Sequence, residues 1–186
     1  MPADPAKPLL LIDVDGVISL WGFAPESRPP GTFASVEGVV HFLSVEAGRH
    51  LLDLVSDFFP VWCTGWEERA NANLPGALGL GPWPYLSFDR HVEAGVTTPG
   101  HWKLGTIDAY AEGRPLAWVD DAFNDACHAW AAERGAPTLL VETLPPRGAR
   151  RPPRGGAPRL GSRARARVKA RTAVVARGNH RRPGGG

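Results

Sequence analysis

The residues best suited to chemistry fall at the ends of apolar runs. Asp13 and Asp15 close the run 8–14, Thr64 closes FPVWCT at 59–64, and Asp120 and Asp121 close PLAWVD at 115–120. A carboxylate at a strand end is exposed to a ligand but anchored by the strand behind it. Two or three gathered at one edge repel one another unless a cation lies between them. An oxygen-only set suits Mg²⁺, which keeps waters and a substrate phosphate as its remaining ligands. Lys103, close to the start of an expected helix, has the reach to join the same point. Its alternative is a solvated surface lysine, as Asp125 is alternatively a helix N-terminal acid favoured by the dipole.

The surrounding pattern predicts how these groups are held. PLLLIDV at 8–14 reads as a strand buried on both faces. The Gly- and Pro-rich stretch 16–43 reads as a loop or small β-flap without a helix. Leu51, Leu54, Val55 and Phe58 recur at helical spacing behind Ser44, which predicts a helix over about 46–57 with Ser44 as its N-cap. Further expectations are a strand at 59–64, a helix from Glu67 to about Leu74, a short strand at 85–88 and a helix carrying Leu104, Ile107 and Tyr110. A strand at 115–120, a helix over 123–134 stopped by Gly135 and a strand at 137–142 complete the series. Alternating strands and helices predict an α/β fold, a Rossmann-like three-layer sandwich with a mostly parallel sheet of about five strands. Ligands collect beyond the carboxyl ends of such strands.

Composition narrows the class. The chain has 186 residues, enough for one domain of ordinary size. No apolar run is long enough for a membrane span, and Asp13 cuts short the run at 9–12. Cys63 and Cys127 have neither disulfide-scaffold nor zinc spacing, so a reduced, cytoplasmic setting is expected. Residues 1–142 hold all 19 acidic residues and eight basic ones, a net −11. Residues 143–186 hold 13 basic residues and no acid, and Arg, Gly, Pro and Ala fill 33 of those 44 positions. This second segment reads either as a disordered arm for nucleic-acid phosphates or as a shifted reading frame in GC-rich DNA.

Taken together and in order, LLLIDVDGVIS, VWCTGW, HWKLG and LAWVDDAFND resemble the four motifs of the haloacid dehalogenase-like superfamily. WCTGWEERAN and HWKL also look like small actinobacterial members of it. The resemblance covers residues 8 to about 142. It implies a phosphatase domain over 1–142, phosphate monoesters as the substrate class, and Mg²⁺ as cofactor. Asp13 is implied as the nucleophile that becomes an aspartyl-phosphate, and Asp15 as the acid that protonates the leaving alcohol and then activates water. Thr64, with Gly65 beside it, and Lys103 are implied to contact the phosphoryl group. Metal ligands are implied at Asp13, at the main chain of Asp15 and at Asp121, with Asp120 able to share that role and Asp125 completing an Asp-x-x-x-Asp spacing. Trp21 in the flap and Trp66 after Thr-Gly are expected to border the substrate. Trp62, Trp118 and Trp130 read as core, and the histidines as structural or surface.

Cap insertions in the superfamily follow the first motif or the third strand. Here the first segment allows only a β-flap, so the expected site is open, for a small phosphorylated molecule or a macromolecular end. A reading from another class is a weakly active or silent phosphate-binding module tethered to nucleic acid by the basic segment.

Overall fold

A computed structural model describes residues 7–88 and 101–143. The chain forms β1 (Leu9–Ile12), β2 (Ser19–Leu20), β3 (Gly31–Val36), β4 (Val39–Ser44), α1 (Val45–Leu52), β5 (Phe59–Trp62), α2 (Glu68–Leu78), α3 (Leu104–Ala111), β6 (Leu116–Asp120), α4 (Asp125–Glu133) and β7 (Thr138–Glu142).

Four strands make a wholly parallel sheet in the order β5-β1-β6-β7. Central β1 is buried on both faces, so its LLLI sequence shows no polar alternation. Leu10 and Ile12 join one apolar cluster with Leu51 of α1 and Ala70 and Leu74 of α2. Leu9 and Leu11 join a second with Ile107 and Ala111 of α3 and Cys127 of α4. Helices therefore flank the sheet. Each fully buried Leu or Ile contributes roughly 1.5–3 kcal/mol, which offsets the cost of the charges held at the strand ends.

The stretch read as a loop or β-flap is a three-stranded antiparallel sheet, β2-β4-β3, with a 3₁₀ turn at Pro25–Ser27. Ser44 caps α1 as expected, its hydroxyl accepting from the Ala47 amide at 3.2 Å. That helix ends at Leu52, short of the predicted 57, because residues 53–57 turn toward β5. α2 runs four residues past its predicted end. Pro75 lies inside it, in the last turn, and Gly79 closes it in the left-handed conformation.

The expected fifth strand at 85–88 is reduced to a single bridge between Tyr85 and Trp62. Trp62 donates to the Pro84 carbonyl at 2.8 Å and receives the Leu86 amide at 2.9 Å, so the segment touches the sheet edge only once. At the other end, Thr143 donates its amide to Asp120 O at 3.0 Å and its hydroxyl to Gly16 O at 3.1 Å. Residues 144–186, which hold the basic segment, lie outside the described residues.

Candidate active site

Strand register brings the first acids together. Ile12 pairs with Val119, so Asp13 and Asp120 are the next residues of adjacent strands. The Asp13 amide donates to Val119 O at 2.9 Å. β1 and β6 also flank the point where strand order reverses, since β5 lies on one side of β1 and β6 on the other. One carboxylate oxygen each from Asp13, Asp120 and Asp121 lies within 4.8 Å of the others.

Lys103 enters from the start of α3. Its side chain is 2% exposed, and Nζ lies 2.9 Å from Asp13 Oδ2 and 2.7 Å from Asp120 Oδ2. Asp120 also accepts from Trp118 Nε1 at 3.1 Å and, on its other oxygen, from the Ala122 amide at 3.1 Å. Asp13 accepts from the Val14 amide at 2.7 Å. Burial pushes Asp13 up to about 6, against the opposing pull of Lys103. Burial by itself would lower Lys103, but the adjoining carboxylates outweigh it and hold the ammonium above its ordinary range. Asp121 is raised by burial and by its neighbour Asp120. The arrangement is a cluster of acids partly neutralised by one buried cation.

Gly16 makes the crowding possible. Its φ of +73° is a conformation that side-chain-bearing residues rarely adopt, and a Cβ there would overlap the Asp121 carboxylate. The glycine of the Asp-x-Asp-Gly segment is thus required by both its backbone and its neighbour.

Asp15 belongs to a different setting. Its side chain is 47% exposed and does not join the three-carboxylate group. Trp66 Nε1 donates to Asp15 Oδ2 at 3.0 Å. His41 Nδ1 stands 3.8 Å from Asp15 Oδ1, bonded to Ser19 Oγ at 2.9 Å and packed edge-on against the Trp66 ring. Thr64 is fully buried two residues past β5, its hydroxyl accepting from the Trp66 amide at 3.3 Å. Cys63 beside it is also buried, which drives its thiol pKa up and leaves it inert.

Next to Asp15 opens a cleft of about 620 Å³ between the flap and the start of α2. Gly65 and Trp66, the residues expected to border a substrate, are among those that line it. Trp66 is only 6% exposed, however, and its indole is committed to Asp15 and to the apolar cluster. Trp21, 51% exposed, is not among the lining residues. Asp125 opens α4, where Asn124 provides the cap, and is outside the three-carboxylate group. Of the expected core tryptophans, Trp62 and Trp118 are fully buried and Trp130 partly so.

His41, Arg69, Phe88 and Trp102 also line the cleft, and sequence reasoning missed all four. His41 reaches Asp15 through β4–β2 pairing, which leaves no local mark on the sequence. Trp102, adjoining Lys103, carried the one available hint.

Carboxylate oxygens alone form the candidate metal group, the donor chemistry of a hard divalent cation. No helix among the described residues is long and apolar enough to cross a membrane. No protein-family model, curated protein or solved structure matches the chain.

Proposed function

We propose that this chain is a Mg²⁺-dependent phosphatase of the haloacid dehalogenase-like type, with a Rossmann-like three-layer domain over 1–142, hydrolysing phosphate monoesters through an aspartyl-phosphate on Asp13. The observation that carries the reading is the convergence of Asp13, Asp120 and Asp121 on one point with the buried Lys103 ammonium between two of them. A lysine is buried in this way at considerable cost, and ion-pair chemistry with a reacting anion gives it a use.

Asp13, Asp121 and the main chain of Asp15 would hold Mg²⁺, with Asp120 held chiefly by Lys103 and Trp118. When bound, the ion supplies charge neutralisation for the phosphoryl oxygens and alignment for attack. An Asp13 carboxylate oxygen attacks phosphorus and the bond from phosphorus to the alcohol oxygen breaks. Protonated Asp15 passes its proton to that oxygen, and the alcohol leaves. Lys103 balances charge on Asp13 and the phosphoryl group, while the Thr64 hydroxyl donates to a phosphoryl oxygen. Asp15, now a carboxylate, takes a proton from water as the water oxygen attacks phosphorus. Inorganic phosphate departs and the Asp13 carboxylate is restored.

The two carboxylates of the first motif separate in a direct test. With Mg²⁺ and an activated aryl phosphate, the wild type turns over, chelation stops it, and Asp13→Asn falls to background. Asp15→Asn still forms the intermediate but hydrolyses it slowly, since general acid–base help contributes about 10²–10⁴-fold. Acid-quench mass spectrometry of Asp15→Asn then finds a phosphoryl group on the peptide containing Asp13. Wild-type turnover by Asp13→Asn, or phosphate trapped elsewhere, removes the mechanism.

A further inference from the structure

An acid that protonates the leaving oxygen must stand beside the leaving group, so the alcohol portion of a substrate occupies the cleft that Asp15 lines. The chemistry of that cleft is lopsided. Its apolar walls include Val36 and Val39 of the flap, with Phe88 and Trp102 also lining it. Trp102 is 58% exposed, and Phe88 packs edge-on to it at 4.6 Å between ring centroids. Such surfaces accept a flat or apolar group.

The charged lining is acidic. Asp15, Glu37 and Glu67 face a single guanidinium among the described lining residues, that of Arg69. Arg69 is already committed. Its Nη1 pairs with the Glu37 carboxylate, its Nη2 donates to Gly65 O at 2.7 Å and its Nε to Trp66 O at 3.1 Å. Glu67 accepts the Phe88 amide at 3.1 Å, which holds its carboxylate at the wall without neutralising it. A second phosphate or a carboxylate on the alcohol would therefore meet three described carboxylates, with the one described guanidinium already engaged. An ammonium would meet carboxylates and aromatic faces instead.

Resting on the phosphatase reading, we infer that the substrates are phosphate monoesters of flat or apolar alcohols that are uncharged or cationic, and that the cleft rejects alcohols bearing a second anion. This selection favours a small molecule over a phosphorylated nucleic-acid end, whose neighbouring phosphates are anionic.

Three aryl phosphates of equal leaving-group reactivity test it with the full chain and Mg²⁺: 4-ethylphenyl phosphate, 4-(2-aminoethyl)phenyl phosphate and 4-(2-carboxyethyl)phenyl phosphate. The expected kcat/KM is on the order of tenfold higher for the amine than for the carboxylate at low ionic strength, a ratio that shrinks with salt. Glu37→Gln and Glu67→Gln each lower that ratio by roughly threefold, because each removes one negative charge from the wall. These variants leave the 143–186 segment unaltered, so a change in the ratio is assigned to the cleft. Equal kcat/KM for the amine and the carboxylate, or a preference for the carboxylate, overturns the inference and leaves the phosphatase reading standing. Absence of Mg²⁺-dependent turnover with all three overturns both.

Discussion

The inner and outer ends of the site hold the same residue type under opposite conditions. Asp13 and Asp15 are two positions apart, yet their side chains are 11% and 47% exposed. Asp13 lies among buried charges, bonded to Lys103 and a main-chain amide. Asp15 faces an open cleft and is held by an indole N–H. Environment, rather than residue type, separates the two: the buried acid is fixed beside a cation and the half-exposed acid opens onto the cleft, a division that the proposed mechanism would use for nucleophile and acid. The inner end gains precision through an unfavourable burial that the apolar sheet must support, whereas the outer end gains access.

The largest test strikes the inner end. Lys103→Met leaves Asp13 and Asp120 facing one another without their shared cation, which should cost about 3–5 kcal/mol in chemical denaturation. Turnover should fall about 10²–10³-fold with it. Adding Asp120→Asn should recover part of the stability but not the activity. Wild-type stability in Lys103→Met would show that the buried cluster does not depend on the ammonium.

A smaller effect concerns pH. The Asp13 carboxyl has its pKa raised by burial to about 6 in the folded chain, from an ordinary 3.8. The folded state therefore binds more protons than the unfolded state between these values. Its contribution to stability is complete below the lower value and is lost as pH rises through the upper one. Metal-free protein should lose roughly 2–3 kcal/mol across that window from this group. Asp13→Asn should flatten the profile in denaturant titrations at successive pH values, and an unchanged slope would locate the titration elsewhere.

Gly16→Ala tests the crowding between the ends. The strained backbone and the Cβ beside Asp121 should cost about 1–3 kcal/mol, and displacement of Asp121 should reduce the Mg²⁺-induced rise in Tm. A full Mg²⁺ response in a folded Gly16→Ala protein would detach Asp121 from the metal.

The smallest effect falls at the outer end. Trp66→Phe keeps a ring in the apolar cluster but removes the hydrogen bond to Asp15. The sequence-based expectation of a substrate-bordering Trp66 predicts a higher KM. Its observed bond predicts instead a kcat about tenfold lower with little change in KM, since the loss affects proton transfer rather than binding. Steady-state kinetics separates these outcomes.

Much of the fold could be read locally. LLLI, FPVW and the LAWV that precedes Asp120 are apolar and strand-like without any partner, because a strand covered on both faces needs apolar side chains along its length. Ser44 announced its helix through a capping oxygen placed three residues before the amide it accepts. The 85–88 strand misled because three apolar or aromatic residues, Tyr85, Leu86 and Phe88, give no indication of how far an edge segment remains in register. Pro75 misled because one proline can be tolerated where the neighbouring turns are held by tertiary packing.

The sequence by itself determined which residues could serve as acids, cation and hydroxyl, and that each follows a strand or opens a helix. Those are local properties of chain composition and periodicity. Only tertiary structure decided that Asp13, Lys103 and Asp120 share one buried point, that Asp121 needs Gly16 to approach, and that His41 and Trp66 surround Asp15. Parallel register sets the first of these distances, and flap pairing sets the last. Both arise from contacts between residues far apart in the chain, whose energies depend on burial that no local segment possesses alone.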